Sequence, residues 1–181
     1  WEWVCSDHFE EIGFSEEARK AIARKPGMAG PVHGSEDGGA VVDWVHMNSI
    51  STLGPNKWFD TGDDRFHPNN IIWSSPTTNM MAIIDRETGK LVWQVGPDYT
   101  ADEPLRKLGQ MLGEHHAHMV PRGLPGEGNI LVFDNGGCYR GYDGASRDYS
   151  RVLEFDPITL EIKWQFTPRE AGFVIPENAS Q

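Results

Sequence analysis

Two segments of the chain repeat one another 71 residues apart, and this repeat limits the fold more than any other feature. Residues 84–97 align without a gap on residues 155–168, so that Trp93 matches Trp164. An aspartate opens a short turn in each copy, and apolar residues alternate on both sides of it. This pattern is typical of a β-hairpin, because Asp stabilises tight turns and alternation places apolar side chains on one face.

Two further strands are predicted before each hairpin, at 44–50 and 70–74 in the first unit and at 115–120 and 129–133 in the second. Four short strands per unit are what a β-propeller blade requires, since radial stacking leaves only short, protected edges. We therefore predict an all-β fold that forms part of a β-propeller, with about two four-stranded blades.

Residues 1–4 are predicted to be the last strand of a preceding blade, because Trp1 matches Trp93 and Trp164. The chain is then divided into an insertion with a short helix at 5–42, blades at 43–97 and 98–168, and the start of a connection to the next blade at 169–181. A propeller has roughly 4 to 8 blades. Two blades cannot close such a ring, so we expect a piece of a longer protein.

The formal net charge of −11 is spread through loops, which argues against a nucleic-acid partner, since such proteins cluster Lys and Arg. No run of about 18 apolar residues occurs, so no membrane span is expected. Cys5 and Cys138 fit no zinc spacing, and whether they are free or paired stays open.

Three histidines in four residues, His115, His116 and His118, are the main candidates for chemistry. On a regular strand, His116 and His118 share one face and His115 lies on the other with Ala117. His46 lies 69 residues before His115, close to the repeat length, so the two are predicted to begin equivalent inner strands and to face one central pocket. The alternative is a structural role, in which each imidazole only bonds a neighbouring carbonyl.

A zinc or copper site is a second interpretation of the histidine cluster, because imidazoles bind both metals. Strand alternation leaves only His116 and His118 able to share one ion from this strand, which argues against it. We therefore assign no metal and no cofactor.

Motifs that cover nearly the whole chain apart from the insertion resemble, in the same order, the arylsulfate sulfotransferase family. They are Trp-Glu-Trp at 1–3, Asp-Trp-Val-His-Met-Asn-Ser-Ile at 43–50, the hairpin start at 84–90, Gly-Glu-His-His-Ala at 113–117 and Leu-Val-Phe-Asp-Asn-Gly at 131–136. The resemblance implies a six-bladed propeller of the bacterial periplasm or cell envelope, or a secreted one. It also implies transfer of a sulfuryl group from an aryl sulfate ester to a phenol through a histidine intermediate, without the nucleotide donor PAPS. The implied partners are thus a small-molecule aryl sulfate and a phenol, and a homo-oligomer stays open.

The resemblance also assigns residues. His46 resembles the histidine of the family's Asp-Trp-x-His-x-Asn-Ser motif, and His115 that of its Gln-His-x-Ala motif, with Glu114 in place of Gln. Arg140 lies just past Phe-Asp-Asn-Gly, where the family has an arginine that binds sulfate. The catalytic assignments are His46, His115 and Arg140, and the substrate-binding assignments are Asn48, His116, His118 and Asn135.

The spacing around Arg140 is altered, so Arg147 and Arg151 remain alternatives. The family's nucleophilic histidine is expected in a later blade, beyond Gln181. Sulfuryl transfer needs cationic or N–H donors, a nucleophile and a proton donor, which imidazoles and a guanidinium supply. A catalytically silent scaffold and a metal- or quinone-dependent oxidoreductase are the competing functions, because the propeller fold alone implies none.

Overall fold

Eight strands form two antiparallel sheets in the computed structural model, which describes residues 1–24, 45–137 and 147–173. The first sheet contains β1 (Ser49–Thr52), β2 (Ile71–Ser75), β3 (Met80–Ile84) and β4 (Leu91–Val95), and the second contains β5 (Glu114–Met119), β6 (Ile130–Asp134), β7 (Arg151–Phe155) and β8 (Ile162–Phe166). The strands of each sheet lie side by side in chain order. The sheets are two consecutive propeller blades, which confirms the all-β prediction.

Most predicted strand positions agree with the structure, and one does not. The strands predicted at 70–74, 115–120 and 129–133 are found with each end within one residue. The strand predicted at 44–50 begins only at Ser49. The Asn48 N–H still donates to the Ser74 carbonyl of β2 at 2.9 Å, but the His46 N–H donates to the Thr77 hydroxyl at 3.1 Å instead.

Three α-helices lie within the described ranges, α1 (Glu16–Arg24), α2 (Lys57–Asp60) and α3 (Glu103–Leu108), together with two 3-10 helices at Cys5–His8 and Asp64–Phe66. The helix predicted in the insertion is α1, and the Ser15 hydroxyl caps it by accepting the Ala18 N–H at 3.1 Å. Within the described residues, no helix has the length and apolar character needed to cross a membrane.

The two outer hairpins owe their shared shape to an aspartate. Asp85 Oδ1 accepts the N–H groups two and three residues further on at 2.8 and 2.9 Å, and Asp156 does the same at 2.8 and 3.0 Å. Each turn then closes on a left-handed residue, Gly89 with a φ of 74° and Leu160 with a φ of 58°. Leu160 is half-buried and packs against the core between the sheets.

The main core lies between the two sheets. Apolar side chains from both sheets meet there, and Trp93 stacks on Phe155 with 6.5 Å between ring centroids. The first sheet contributes Ile72, Met81, Ile83, Trp93 and Val95, and the second contributes Ala117, Met119, Val132, Leu153 and Phe155. Removal of this apolar area from water holds the blades together.

Residues 1–4 pair with no strand among the described residues, so the strand of a preceding blade predicted there stays a prediction. They contact the first sheet through side chains instead. The Trp3 ring lies 5.8 Å from that of Trp73, and Trp3 Nε1 donates to the Gly89 carbonyl at 2.8 Å. Trp1, which was matched to the outer-strand tryptophans, is 64% exposed, so Trp3 makes the contact with the sheet.

The same kind of hydrogen bond joins the two blades. Trp93 Nε1 on β4 donates to the carbonyl of Pro157, in the outer turn of the second sheet, at 2.7 Å. Trp164, at the equivalent position of the second sheet, is 49% exposed. An outer tryptophan bonded to the next hairpin turn is therefore a repeated feature of this chain.

We predict that Trp93→Phe lowers the free energy of unfolding by about 1–3 kcal/mol, because it leaves the buried Pro157 carbonyl without its donor. Trp164→Phe is the matched control and should change stability by less than about 0.5 kcal/mol. Urea unfolding of both variants measures the difference. Similar losses in the two variants would contradict the assigned inter-blade bond.

Candidate active site

A β-bulge in β5 decides where the clustered histidines point. His115 pairs with Phe133, but regular pairing resumes only at His118 and Leu131, so two residues of β5 are matched by one of β6. His116 lies in this bulge with a positive φ of 55°, a backbone conformation that L side chains rarely adopt.

The bulge reverses the alternation predicted from the sequence. Ala117 and Met119 are buried in the core between the sheets, whereas half-buried His115 and His118 lie on the opposite face. The prediction that His115 shares a face with Ala117 is therefore wrong, because Ala117 lies in the core and His115 does not. The extra residue shifts the period of two by one position.

His116 and His118 form an adjacent imidazole pair. Their ring centroids are 4.7 Å apart, and His118 Nδ1 lies 3.0 Å from the His116 carbonyl oxygen. The His116 side chain is exposed. Its N–H donates to Asn48 Oδ1 on the first blade at 3.4 Å.

The His115 ring is fixed through one of its nitrogens. His115 Nδ1 lies 2.9 Å from the Gly113 carbonyl oxygen and 3.1 Å from Asn135 Nδ2. With a proton on Nδ1 the ring donates to Gly113, and without one it accepts from Asn135. The described part of the chain places no hydrogen-bond partner on Nε2, which leaves that atom for a ligand.

His46 and His115 do not occupy equivalent positions in their sheets. Ser74 and Phe133 are equivalent, because they pair with third-strand residues that lie one repeat apart. Ser74 pairs with Ser49 and Phe133 pairs with His115, so Ser49 is the counterpart of His115. Loops of different length flank β2 and β6, so spacing in the sequence does not give the sheet register here. The role assigned to His46, which is exposed, stays a prediction.

Asp134, at the end of β6, pairs with both arginines that were alternatives to Arg140 for binding sulfate. Its side chain is fully buried, and its Oδ1 accepts the Leu112 N–H at 2.9 Å. Its Oδ2 lies 2.6 Å from Arg147 Nη2 and 3.0 Å from Arg151 Nε. Arg147 and Arg151 therefore neutralise a buried carboxylate, while Arg140 lies outside the described residues. Sequence reasoning missed Asp134, although it stands within the Phe-Asp-Asn-Gly motif.

Glu114 is the second buried carboxyl of this region, directly across from Asp134 in the β5–β6 pair. Its Oε1 accepts the Ser75 N–H from the first blade at 3.1 Å, and Oε2 has no partner among the described residues. Burial, and then the charge of Asp134, holds the pKa of Glu114 well above its usual range. Glu114 is thus a neutral acid where the resemblance leads one to expect a glutamine.

Among the described residues, no group of three or more His, Cys, Asp or Glu side chains is placed to hold a metal ion. The arrangement offers imidazole N–H groups and amides instead, and both suit an anionic oxygen.

The fold and these inner-strand groups define a β-propeller with a candidate small-molecule site. Comparison with protein families identifies the class further, since residues 1–158 match the Arylsulfotransferase (ASST) family. The match covers most of the chain, so the chain belongs to this family, and its function at family level is aryl sulfotransfer. A search of curated proteins finds no match.

We predict that His116→Val lowers the free energy of unfolding by about 1–2 kcal/mol, because a β-branched side chain is strained at positive φ. His118→Val, whose φ is not positive, should change it by less than about 0.5 kcal/mol. Urea unfolding of both variants tests the bulge. Equal losses, or a loss only for His118→Val, would contradict it.

The pH dependence of stability tests the state of Glu114. In the unfolded chain this side chain ionises above its ordinary pKa, whereas the folded protein keeps the proton because the folded pKa is raised. The stability that the site contributes is therefore complete below the ordinary pKa and declines as pH rises towards the folded pKa. Glu114→Gln should lack this decline.

We expect Glu114→Gln to gain stability relative to the unsubstituted protein as pH rises from about 5 to 8, measured by denaturant unfolding at several pH values. Glu87→Gln, at an exposed turn residue, is the matched control and should show no such trend. A constant difference between Glu114→Gln and the unsubstituted protein would contradict a buried neutral carboxyl.

Proposed function

We propose that this chain contributes two blades to an enzyme that moves a sulfuryl group from an aryl sulfate ester to a phenol through a histidine intermediate, without PAPS. The observation that carries the proposal is the family match over residues 1–158. The geometry of His115 supports it, since one nitrogen is held by the protein and the other is left for a ligand.

His115 is proposed to bind a sulfuryl oxygen through Nε2–H. When Nδ1 accepts from Asn135 Nδ2, the proton of the ring lies on Nε2, which then donates to the ligand. Such a donor is most valuable where charge develops on the sulfuryl oxygens during transfer. Asn135, 3.1 Å from Nδ1, limits rotation of the ring.

The remaining polar groups are assigned to the substrate. Asn48 immediately precedes β1 of the first blade, the His116–His118 pair lies on β5 of the second, and the Asn48–His116 bond joins them. We propose that they contact the aryl sulfate or the acceptor phenol.

The sulfate-binding arginine is proposed to be Arg140. Arg147 and Arg151 are the alternatives, but both already pair with the buried Asp134. Moving either one onto a sulfate would leave a buried carboxylate partly uncompensated, which is strongly unfavourable. This argument favours Arg140, which lies outside the described residues.

The proposed reaction has two displacements at sulfur. A histidine nitrogen attacks the sulfur of the donor, the bond from sulfur to the phenolic oxygen breaks, and the phenol leaves with a proton. The acceptor phenol then loses its proton and attacks the sulfuryl-histidine, which restores the free histidine. As the family resemblance implies, we assign the nucleophilic histidine to a later blade and place the enzyme in the bacterial periplasm or outside the cell. Cell fractionation tests the location, and recovery in the cytoplasm would contradict it.

We predict that His115→Asn lowers turnover of a chromogenic aryl sulfate by about 10² to 10³, because it removes a donor to the developing charge. The assay measures phenol-dependent release of the chromophore by the intact protein. His67→Asn is the matched control and should retain activity, since His67 lies beside the outer turn of the first blade.

Two outcomes of that assay would overturn the proposal. An intact, folded protein that shows no phenol-dependent release with any donor or pH favours a scaffold function. Equal losses for His115→Asn and His67→Asn would show that His115 has no special role in the transfer.

A further inference from the structure

The backbone on both sides of His115 is hydrogen-bonded to the other blade. The Gly113 N–H donates to Asn79 Oδ1 at 2.9 Å, and the His116 N–H donates to Asn48 Oδ1 at 3.4 Å. Both acceptors belong to the first blade. The position of the His115 ring therefore depends on how the two blades meet.

Glu114, immediately before His115, makes the third of these inter-blade bonds, and it is the only one whose acceptor can ionise. Its Oε1 accepts the N–H of Ser75, the last residue of β2, at 3.1 Å. Both residues are fully buried, and the second oxygen of Glu114 has no hydrogen-bond partner among the described residues. Since Oε1 is the acceptor, a proton on this carboxyl belongs on Oε2.

We propose that Glu114 is a positioning residue for His115, a neutral carboxyl that fixes the start of β5 against the end of β2 through Ser75. Its effect on catalysis rests on the function proposed above, whereas its effect on the His115 ring does not. A glutamine keeps the acceptor oxygen and replaces the protonated oxygen by an amide. A leucine of similar size keeps neither.

Burial, and then the charged surroundings, raise the pKa of the Glu114 carboxyl. Asp134 faces it from β6, and Tyr99 from the segment after β4 interacts with it electrostatically. Arg151 on β7 and Arg147 pair with Asp134, so their positive charges compensate that residue and not Glu114. On the first blade, Glu114 contacts backbone N–H groups, which cannot titrate.

Ionisation of Glu114 would have two consequences at the site. It would place a second negative charge beside Asp134 in the core between the blades, which loosens the contact that holds His115. It would also bring a negative charge close to the bound sulfate. Both effects lower activity as pH rises, and neither arises with glutamine.

The test compares Glu114→Gln and Glu114→Leu with the unsubstituted protein in two measurements. The first is the ¹H–¹⁵N chemical shifts of the His115 ring over a pH series, and the second is turnover of a chromogenic aryl sulfate. Trp58→Phe is the matched control, because it removes another inter-blade bond, from Trp58 Nε1 to the Gly128 carbonyl at 2.6 Å.

We expect Glu114→Gln to keep the His115 shifts and turnover within about twofold at neutral pH, and Glu114→Leu to move the shifts and lower turnover by about 10-fold or more. In the unsubstituted protein, the His115 shifts should change and turnover should fall as Glu114 ionises above its ordinary pKa. Glu114→Gln should lack both. Trp58→Phe should leave the His115 shifts in place.

The proposal is overturned if Glu114→Leu leaves the His115 shifts unchanged, or if Trp58→Phe moves them equally. If Glu114→Leu does not fold, the pH series of Glu114→Gln tests the proposal. A change of the His115 shifts with pH that is identical to that of the unsubstituted protein would then refute it. A protein with the expected shifts but no sulfuryl transfer would refute the proposed function and leave the positioning role intact.

Discussion

The packing of the second sheet against the first is the interaction on which the rest of this structure depends. Trp93 and Phe155 anchor its apolar part, and hydrogen bonds from Trp93, Gly113 and His116 add direction to it. Apolar burial sets the strength of the contact, but it tolerates sliding. The directional bonds fix one register between the blades, and the candidate site lies where those bonds are concentrated.

The blade organisation could be predicted from the sequence because its signals are local. An aspartate bonded to its own turn fixes each hairpin, and two copies 71 residues apart show that the unit repeats. The orientation of the histidines could not be predicted, because the bulge depends on pairing with β6 and the sequence of β5 alone does not indicate it. The different sheet positions of His46 and His115 could not be predicted for a similar reason. The loops differ in length between the blades, so spacing in the sequence does not give the pairing in the sheet.

Buried carboxyls explain much of what lies around the candidate site. Asp134 holds two arginines and the backbone of Leu112, so it organises the loop that follows β6 and removes those arginines from consideration as sulfate ligands. Glu114 lies directly opposite, and no cation among the described residues pairs with it. The two neighbouring acids thus have different surroundings: guanidinium groups compensate Asp134, whereas burial raises the pKa of Glu114.

The left-handed closing residue of the outer turns differs between the blades. Gly89 has no side chain to pack and contributes its carbonyl to the Trp3 hydrogen bond, whereas Leu160 adopts the same conformation and also packs a side chain against the core between the sheets. The side chain of the second turn is therefore part of the junction with the first blade, while the first turn makes its contact through the backbone. Exchanging the two hairpins would preserve the backbone path but remove a side chain from that junction. The repeats are alike in shape but are not interchangeable modules, and their order along the chain carries structural information.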